Sequence, residues 1–305
     1  MNYKCISPPL FNINDKELWL EFLKVEGYVV INDILTNEER SSFIDEFYID
    51  FNKVTPNFDF KDNKTWNKNT YPGMYGKGIC SFNGFGQSNF MWILRTKNKI
   101  QQIFRTIYNT KQLITSMDGF SLFVNNEQKS KQWNHIDQNP QNKICSYQSA
   151  YNYFPVTEGD AGFIIAPHSH KEFNPEVSHL NDWIVLDDDN QWNDKVVKLL
   201  IPSNCLTIWN SKSIHSNTGM NKKCVELNRL TCYLTYLPRS LQTDENKSLR
   251  IEAYKNGHTC SHWSNKCEIK KYPWGFKKRY ESKGFKRIIP KLINKKIPLD
   301  RYVLI

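Results

Sequence analysis

No stretch of the 305-residue chain approaches the roughly 18 to 20 consecutive apolar residues that a membrane-crossing helix needs. The start, Met1-Asn2-Tyr3-Lys4-Cys5-Ile6-Ser7-Pro8-Pro9, also lacks the basic and then apolar regions of a secretory signal. These two absences predict a soluble, cytoplasmic protein. The eight cysteines, at 5, 80, 145, 205, 224, 232, 260 and 267, have none of the dense regular spacing of a small secreted disulfide scaffold and read as reduced residues, mostly in the core. There is no internal repeat and no heptad pattern. Acidic residues are scarce at one end only: Lys266 to Ile305 holds thirteen Lys or Arg against Glu268, Glu281 and Asp300. That segment carries a net +10, the formal charge of the whole chain. Residues 1–265 therefore balance 28 basic with 28 acidic side chains, which disfavours a nucleic-acid-binding body and assigns attraction for polyanions to the last 40 residues.

What is present is enough for a sizeable core: 39% of the residues are apolar and 14% aromatic, in a length that fits one large domain or two modest ones. Lys16 to Leu23 has helical spacing, and Gly27-Tyr28-Val29-Val30-Ile31 is a β-branched, strand-like run. Thr36-Asn37-Glu38-Glu39 is an N-cap with an acidic first turn before an amphipathic stretch from Phe43 to Phe51. Residues 56–86 read as a long polar loop, and Ile93 to Leu113 as a helix. Beyond Ser116 come seven short apolar runs, at 119–124, 131–138, 147–154, 161–166, 195–201, 205–209 and 229–237. Helices first and then many short strands predict a mainly β chain with flanking α-helices, built as an antiparallel sandwich or barrel.

Within Trp133-Asn134-His135-Ile136-Asp137-Gln138, a strand would project His135 and Asp137 from one face. Alone, the pair also fits a structural contact. A second polar turn, Trp209-Asn210-Ser211-Lys212-Ser213-Ile214-His215, supplies another imidazole. Two histidines and one carboxylate are the donor set that holds iron on one face in non-haem oxygenases, leaving positions open for other ligands. Fourteen residues later, Arg229 opens the strand Leu230 to Leu237. Directed inward, its guanidinium needs an anion and suits a ligand carboxylate; on an edge strand it would be a surface residue.

With Gly159-Asp160-Ala161-Gly162-Phe163-Ile164-Ile165-Ala166-Pro167-His168-Ser169-His170-Lys171, these segments resemble the phytanoyl-CoA dioxygenase-like family of Fe(II)/2-oxoglutarate oxygenases, in the family's order over about residues 16–240. His168 stands where the family's hairpin has glycine, and Asn217 where it has a small hydroxylated residue. The resemblance implies a double-stranded β-helix (jelly-roll, cupin-like) core and a single oxygenase domain at 1–240, with a helical and loop part at 1–115 and the β core at 116–240. Residues 241–305 would be a C-terminal extension, basic from 266. His135, Asp137 and His215 would hold Fe(II), and 2-oxoglutarate would chelate it with Arg229 on its distal carboxylate. Asn217 and Gln148 are the further candidates for the cosubstrate pocket. The implied reaction is hydroxylation of a small molecule, with succinate and CO2 as coproducts.

Gln148 also fits a buried amide bonded to backbone, and Trp133 and Tyr151 fit either pocket or core. His168, His170 and His179 read as surface residues. Cys260, His262 and Cys267, with His258, suggest zinc only superficially, because no paired Cys-x-x-Cys is present. Two other functions compete: a catalytically silent binding module on the same fold, and a nucleic-acid-directed oxygenase using the basic tail. The second would carry another Arg six residues after the first, where Thr235 stands. An intact Asp137 disfavours a halogenase. An anionic partner is expected at 266–305, whether phosphorylated substrate, membrane surface or nucleic acid. Substrate and oligomeric state stay open.

Overall fold

The computed structural model describes residues 3–125, 127–128, 132–175, 181–221, 226–227, 229–272 and 282–305. The helix Lys16–Glu26 stops at Gly27, whose φ of +82° is left-handed backbone that glycine adopts at little cost. Tyr28–Ile31 then runs as a fully buried strand. Thr36 caps the 18-residue helix Asn37–Val54 through a reciprocal capping box with Glu39.

An eight-stranded sheet runs in the order Leu10–Phe11, Tyr28–Ile31, Cys205–Asn210, Tyr147–Asn152, Arg229–Pro238, Phe120–Phe123 and Ile79–Cys80, with Leu113–Thr115 on the far end of Arg229–Pro238. A six-stranded sheet runs Lys4–Ile6, Val197–Leu199, Gly162–Ile165, His215–Thr218, His135–Ile136 and Ile184–Val185. Tyr28, Val30, Ala150 and Trp209 of the first sheet pack with Phe163, Ile165 and Leu199 of the second, so the two sheets meet face to face. The larger sheet's other face is covered by helices through an aromatic cluster in which Phe47 lies 5.2 Å from Phe90 and 5.7 Å from Phe120. The chain is a mixed structure, two packed sheets with flanking α-helices, and no described helix is long and apolar enough to cross a membrane.

Some local expectations are corrected. The helix expected at 93–113 is two helices, Asn89–Thr96 and Asn98–Tyr108, broken at Lys97, whose ψ of 116° leaves the helical region, and Leu113–Thr115 is strand. A continuous apolar period does not reveal such a break. The polar loop 56–86 contains short 3-10 turns and the strand Ile79–Cys80, and it buries Phe58, Trp66 and Tyr71. The chain end is core: Leu304 and Ile305 are buried, and the Leu304 carbonyl accepts from the Thr115 N–H at 2.8 Å. All seven described cysteines are free thiols, four of them buried.

Candidate metal centre and its pocket

His135 and His215 are direct partners in neighbouring antiparallel strands. Asp137 follows two residues after His135, and its N–H donates to the Ser211 carbonyl at 2.9 Å, which ties it to the turn before His215. That turn is held from two further sides. The Asn210 N–H donates to Gly27 O at 2.9 Å, and a Cβ on Gly27 would lie 2.7 Å from Ser213 Oγ, so the turn needs glycine there. Ser169 Oγ accepts from the Ile214 N–H at 2.8 Å and donates to Ala166 O at 2.6 Å, fastening the hairpin to the residue before His215. His168 sits at φ +64°, a left-handed conformation that glycine would reach more easily.

The three ligand atoms lie within 4.8 Å of one another, in buried side chains. His135 Nδ1–H donates to Trp133 O and His215 Nδ1–H to Ser213 O, both at 2.9 Å, which leaves each Nε2 with its lone pair free. Those lone pairs face Asp137 Oδ2 at 3.6 and 3.3 Å. Three electron-pair donors converging in a buried space repel one another unless a cation lies between them, so the donor set fits a metal ion. Burial pushes the Asp137 carboxyl up, but the surrounding imidazoles of His262, His135 and His215 outweigh it and hold the carboxyl well below the usual carboxylate range, so it is an anion. Burial and the neighbouring His135 push the His215 imidazole down, toward the neutral form that ligates metal.

Gln148 Nε2 donates to Asp137 Oδ2 at 2.8 Å, so its amide reaches the carboxylate ligand and lines the pocket beside it. Asn217 lines the same pocket and donates to the Tyr233 hydroxyl at 2.7 Å. Arg229 opens its strand 1% exposed, and its Nε, Nη1 and Nη2 have no hydrogen-bond partner among the described residues. Burial pulls its guanidinium down to about 10, which still leaves it charged at neutral pH. Thr231 Oγ1, two residues along the strand, and Asn152 Nδ2, across the ladder from Thr231, are also buried without partners.

The cavity beside the three ligands measures about 160 Å³. Trp133 lines it, its ring stacked 4.6 Å from that of His135, whereas Tyr151 is in the core. The sequence did not single out Asp118, Trp183, Tyr233, His262 or Lys270 as lining residues. Tyr233 was within reach, four residues beyond Arg229 and hence on the same strand face. His262 is turned to this pocket with Nε2 buried and unpartnered, while Cys260 and Cys267 meet each other, so the three do not converge as a zinc set. Among the described residues, His135, Asp137 and His215 are the group placed to hold a metal. His168 and His170 bond the Val25 and Lys24 carbonyls at the helix end instead, and His179 lies outside the described residues.

No protein-family model matches the chain. It is 23% identical over 270 residues to Ava biosynthesis cluster protein O of Aspergillus versicolor, covering 80% of this chain and 86% of that protein. Solved structures share the fold at low identity. The epimerase SnoN, in complex with Fe3+, alpha-ketoglutarate and nogalamycin RO, aligns with a TM-score of 0.54 at 14% identity, over 74% of this chain and 84% of SnoN. SnoK, a non-haem alpha-ketoglutarate-dependent carbocyclase from nogalamycin biosynthesis, aligns at 0.51 and 11% identity, over 75% of this chain and 87% of SnoK. The apo non-haem monooxygenase ThoJ aligns at 0.50 and 13% identity, over 72% and 77%. The chain thus shares its fold with non-haem, alpha-ketoglutarate-dependent enzymes.

Proposed function

We propose that the protein is an Fe(II)- and 2-oxoglutarate-dependent oxygenase that hydroxylates a small molecule and releases succinate and CO2. The observation that carries this is a convergent His135/Asp137/His215 donor set in the same β core as a buried Arg229 with three unpartnered nitrogens. The donor set fits iron, and the bare guanidinium fits the distal carboxylate of a dicarboxylic cosubstrate. On this reading the two packed sheets form a double-stranded β-helix like that of the phytanoyl-CoA dioxygenase-like enzymes, which the order of the sequence motifs supports. Residues 1–240 make the oxygenase domain, and 241–305 are an extension that shares its core and whose basic end meets an anionic partner.

When bound, iron and 2-oxoglutarate supply oxygen activation and the electrons for it. The residues supply placement. Trp133 O and Ser213 O fix both imidazole tautomers, and Gln148 holds the Asp137 carboxylate on the side facing them. Asn217 and Tyr233, linked to each other, line the pocket on the strands that carry His215 and Arg229. Trp133, Trp183 and Phe163 line the space where substrate binds. The biosynthetic settings named for the similar proteins favour a small-molecule substrate.

Anaerobic reconstitution tests this. Protein given Fe(II) and then 2-oxoglutarate should develop a visible metal-to-ligand charge-transfer band, and on exposure to air should release succinate slowly without substrate. Iron binding without either response would favour the silent binding module, and no iron binding would remove the proposal.

A further inference from the structure

Two thiols meet beneath the pocket's C-terminal wall. Thr259–Cys260 pairs with Ile269–Lys270 as a short antiparallel hairpin, with Cys260 opposite Ile269, and the Ser261 N–H continues the ladder to Glu268 O at 3.0 Å. Cys260 ends the first strand, fully buried, and Cys267 lies seven residues on, part exposed, with the two sulfurs 4.0 Å apart. The segment between them is the turn that presents His262 to the metal-site pocket, and Lys270 reaches the same pocket from the second strand. Lys266, at the end of the turn, pairs with Asp182 at 3.2 Å, beside the pocket residue Trp183.

We propose that Cys260 and Cys267 are a modification site, a dithiol that a hydroperoxide converts reversibly to a disulfide, closing the turn that carries His262. The distance supports it: a disulfide requires about 2.05 Å between sulfurs, so about 2 Å of approach is needed within one hairpin turn. The division of labour follows from exposure and charge. The hydrogen bond from the Cys260 S–H pulls the Cys267 thiol below the usual thiol range, and the buried Arg250 guanidinium acts in the same direction. The same hydrogen bond, and then burial, raise Cys260, and Glu252 and Asp118 are the acidic groups acting on the pair. Cys267 is therefore the attacking thiolate and Cys260 the resolving thiol.

The steps balance. The Cys267 thiolate attacks one peroxide oxygen, the O–O bond breaks, and the leaving oxygen takes a proton to become water, or an alcohol from an organic peroxide, leaving Cys267 as sulfenic acid. The Cys260 sulfur then attacks the Cys267 sulfur, the S–O bond breaks, and the hydroxide leaves as water with the Cys260 proton. Two thiols are oxidised and one peroxide is reduced. No metal ion takes part in these steps.

The test uses full-length protein washed with chelator, so that bound iron does not decompose the peroxide. In reduced protein at neutral pH, iodoacetamide should label Cys267 about tenfold faster than part-exposed Cys145, whose thiol burial raises. One equivalent of hydrogen peroxide should then give a Cys260–Cys267 linked peptide, roughly 2 Da lighter than its two parts and restored by dithiothreitol. Cys267→Ser should abolish the link and Cys5→Ser should leave it. The His262 imidazole proton resonance, assigned with His262→Gln, should move on oxidation in the wild type and stay fixed in Cys267→Ser. Direct conversion of Cys267 to sulfinic acid, a link to another cysteine, or both thiols still open to alkylation after peroxide would overturn the site. An unmoved His262 resonance in linked protein would overturn its connection to the pocket.

Discussion

His135 and His215 face each other across two antiparallel strands with ring centroids 4.5 Å apart, and each donates Nδ1–H to the carbonyl two residues before it in its own chain. One local device is used twice. The fold aligns the rings, each backbone fixes its own tautomer, and both Nε2 atoms are left facing Asp137.

Removing any one of the three should therefore remove the site. His135→Ala, Asp137→Ala and His215→Ala are each expected to lower Fe(II) affinity by more than about 100-fold, a larger loss than from changing an outer residue. Iron per chain after desalting measures this. Wild-type stoichiometry in these variants would mean that iron sits elsewhere.

Gln148 acts one step further out. Gln148→Leu removes the 2.8 Å donor to Asp137 Oδ2 at nearly constant volume, and is expected to weaken Fe(II) binding about 10-fold while secondary structure is kept. Gln148→Glu should do more damage, because it sets a second carboxylate against the first. Fe(II) titration with both variants separates orientation from bulk.

Arg229 gives two effects of opposite sign. Arg229→Met should raise the 2-oxoglutarate requirement about 10- to 150-fold, the equivalent of losing a charge-assisted contact of roughly 1.5 to 3 kcal/mol, with iron retained. Without cosubstrate, the same change removes an unpartnered buried charge, so the free protein should melt no lower than wild type. Thermal melts with and without 2-oxoglutarate read both. An unchanged cosubstrate requirement would move the anchor elsewhere, to Lys129 or Lys131, which lie outside the described residues.

Much of this site was legible because it depends on local repeats of backbone geometry. His135 and Asp137 two apart in a strand share a face in any sheet, and Ser169 and Gly27 are small because backbone and hydroxyl contacts to the turn before His215 leave no room. His262 and Trp183 were not legible. They come from segments without periodicity, and only long-range packing, such as the Thr259–Cys260 hairpin against Phe85–Gln87 through the Gly86 N–H to Thr259 Oγ1 bond, brings them to the pocket. The two-helix break at Lys97 and the strand Leu113–Thr115 were hidden for the same reason, because tertiary pairing with Arg229–Pro238 overrides a helical apolar pattern.

The pH response of Cys267 follows from its lowered thiol. Thiolate is the reacting form, so alkylation of Cys267 should rise and level off at lower pH than that of an ordinary thiol, whose midpoint is about 8.5. Cys145 is pushed the other way by burial, and its rate should still be climbing where Cys267 has levelled. Peptide-resolved iodoacetamide rates between about pH 6 and 9 show the two profiles, and coincident curves would place Cys267 among ordinary thiols.

The chain end tests how far the basic extension is structural. Ile305 is fully buried, its carbonyl accepts from Gln242 Nε2 at 2.6 Å and Arg250 Nε at 3.0 Å, and its side chain belongs to the cluster between the larger sheet and the helices. Ile305→Ala leaves those backbone bonds in place and opens a cavity, so it should cost about 2 to 4 kcal/mol. Lys291, in the same extension, is exposed, and Lys291→Gln should change stability by less than about 0.5 kcal/mol. The strands that carry His135 and His215 belong to the other sheet, so both variants should keep one iron per chain. Urea midpoints measure the difference, with an unchanged m-value showing that the same cooperative unit unfolds. Equal midpoints for the two variants would mean that the last residues add nothing to the core, and the extension would then have to be treated as charge laid on the surface.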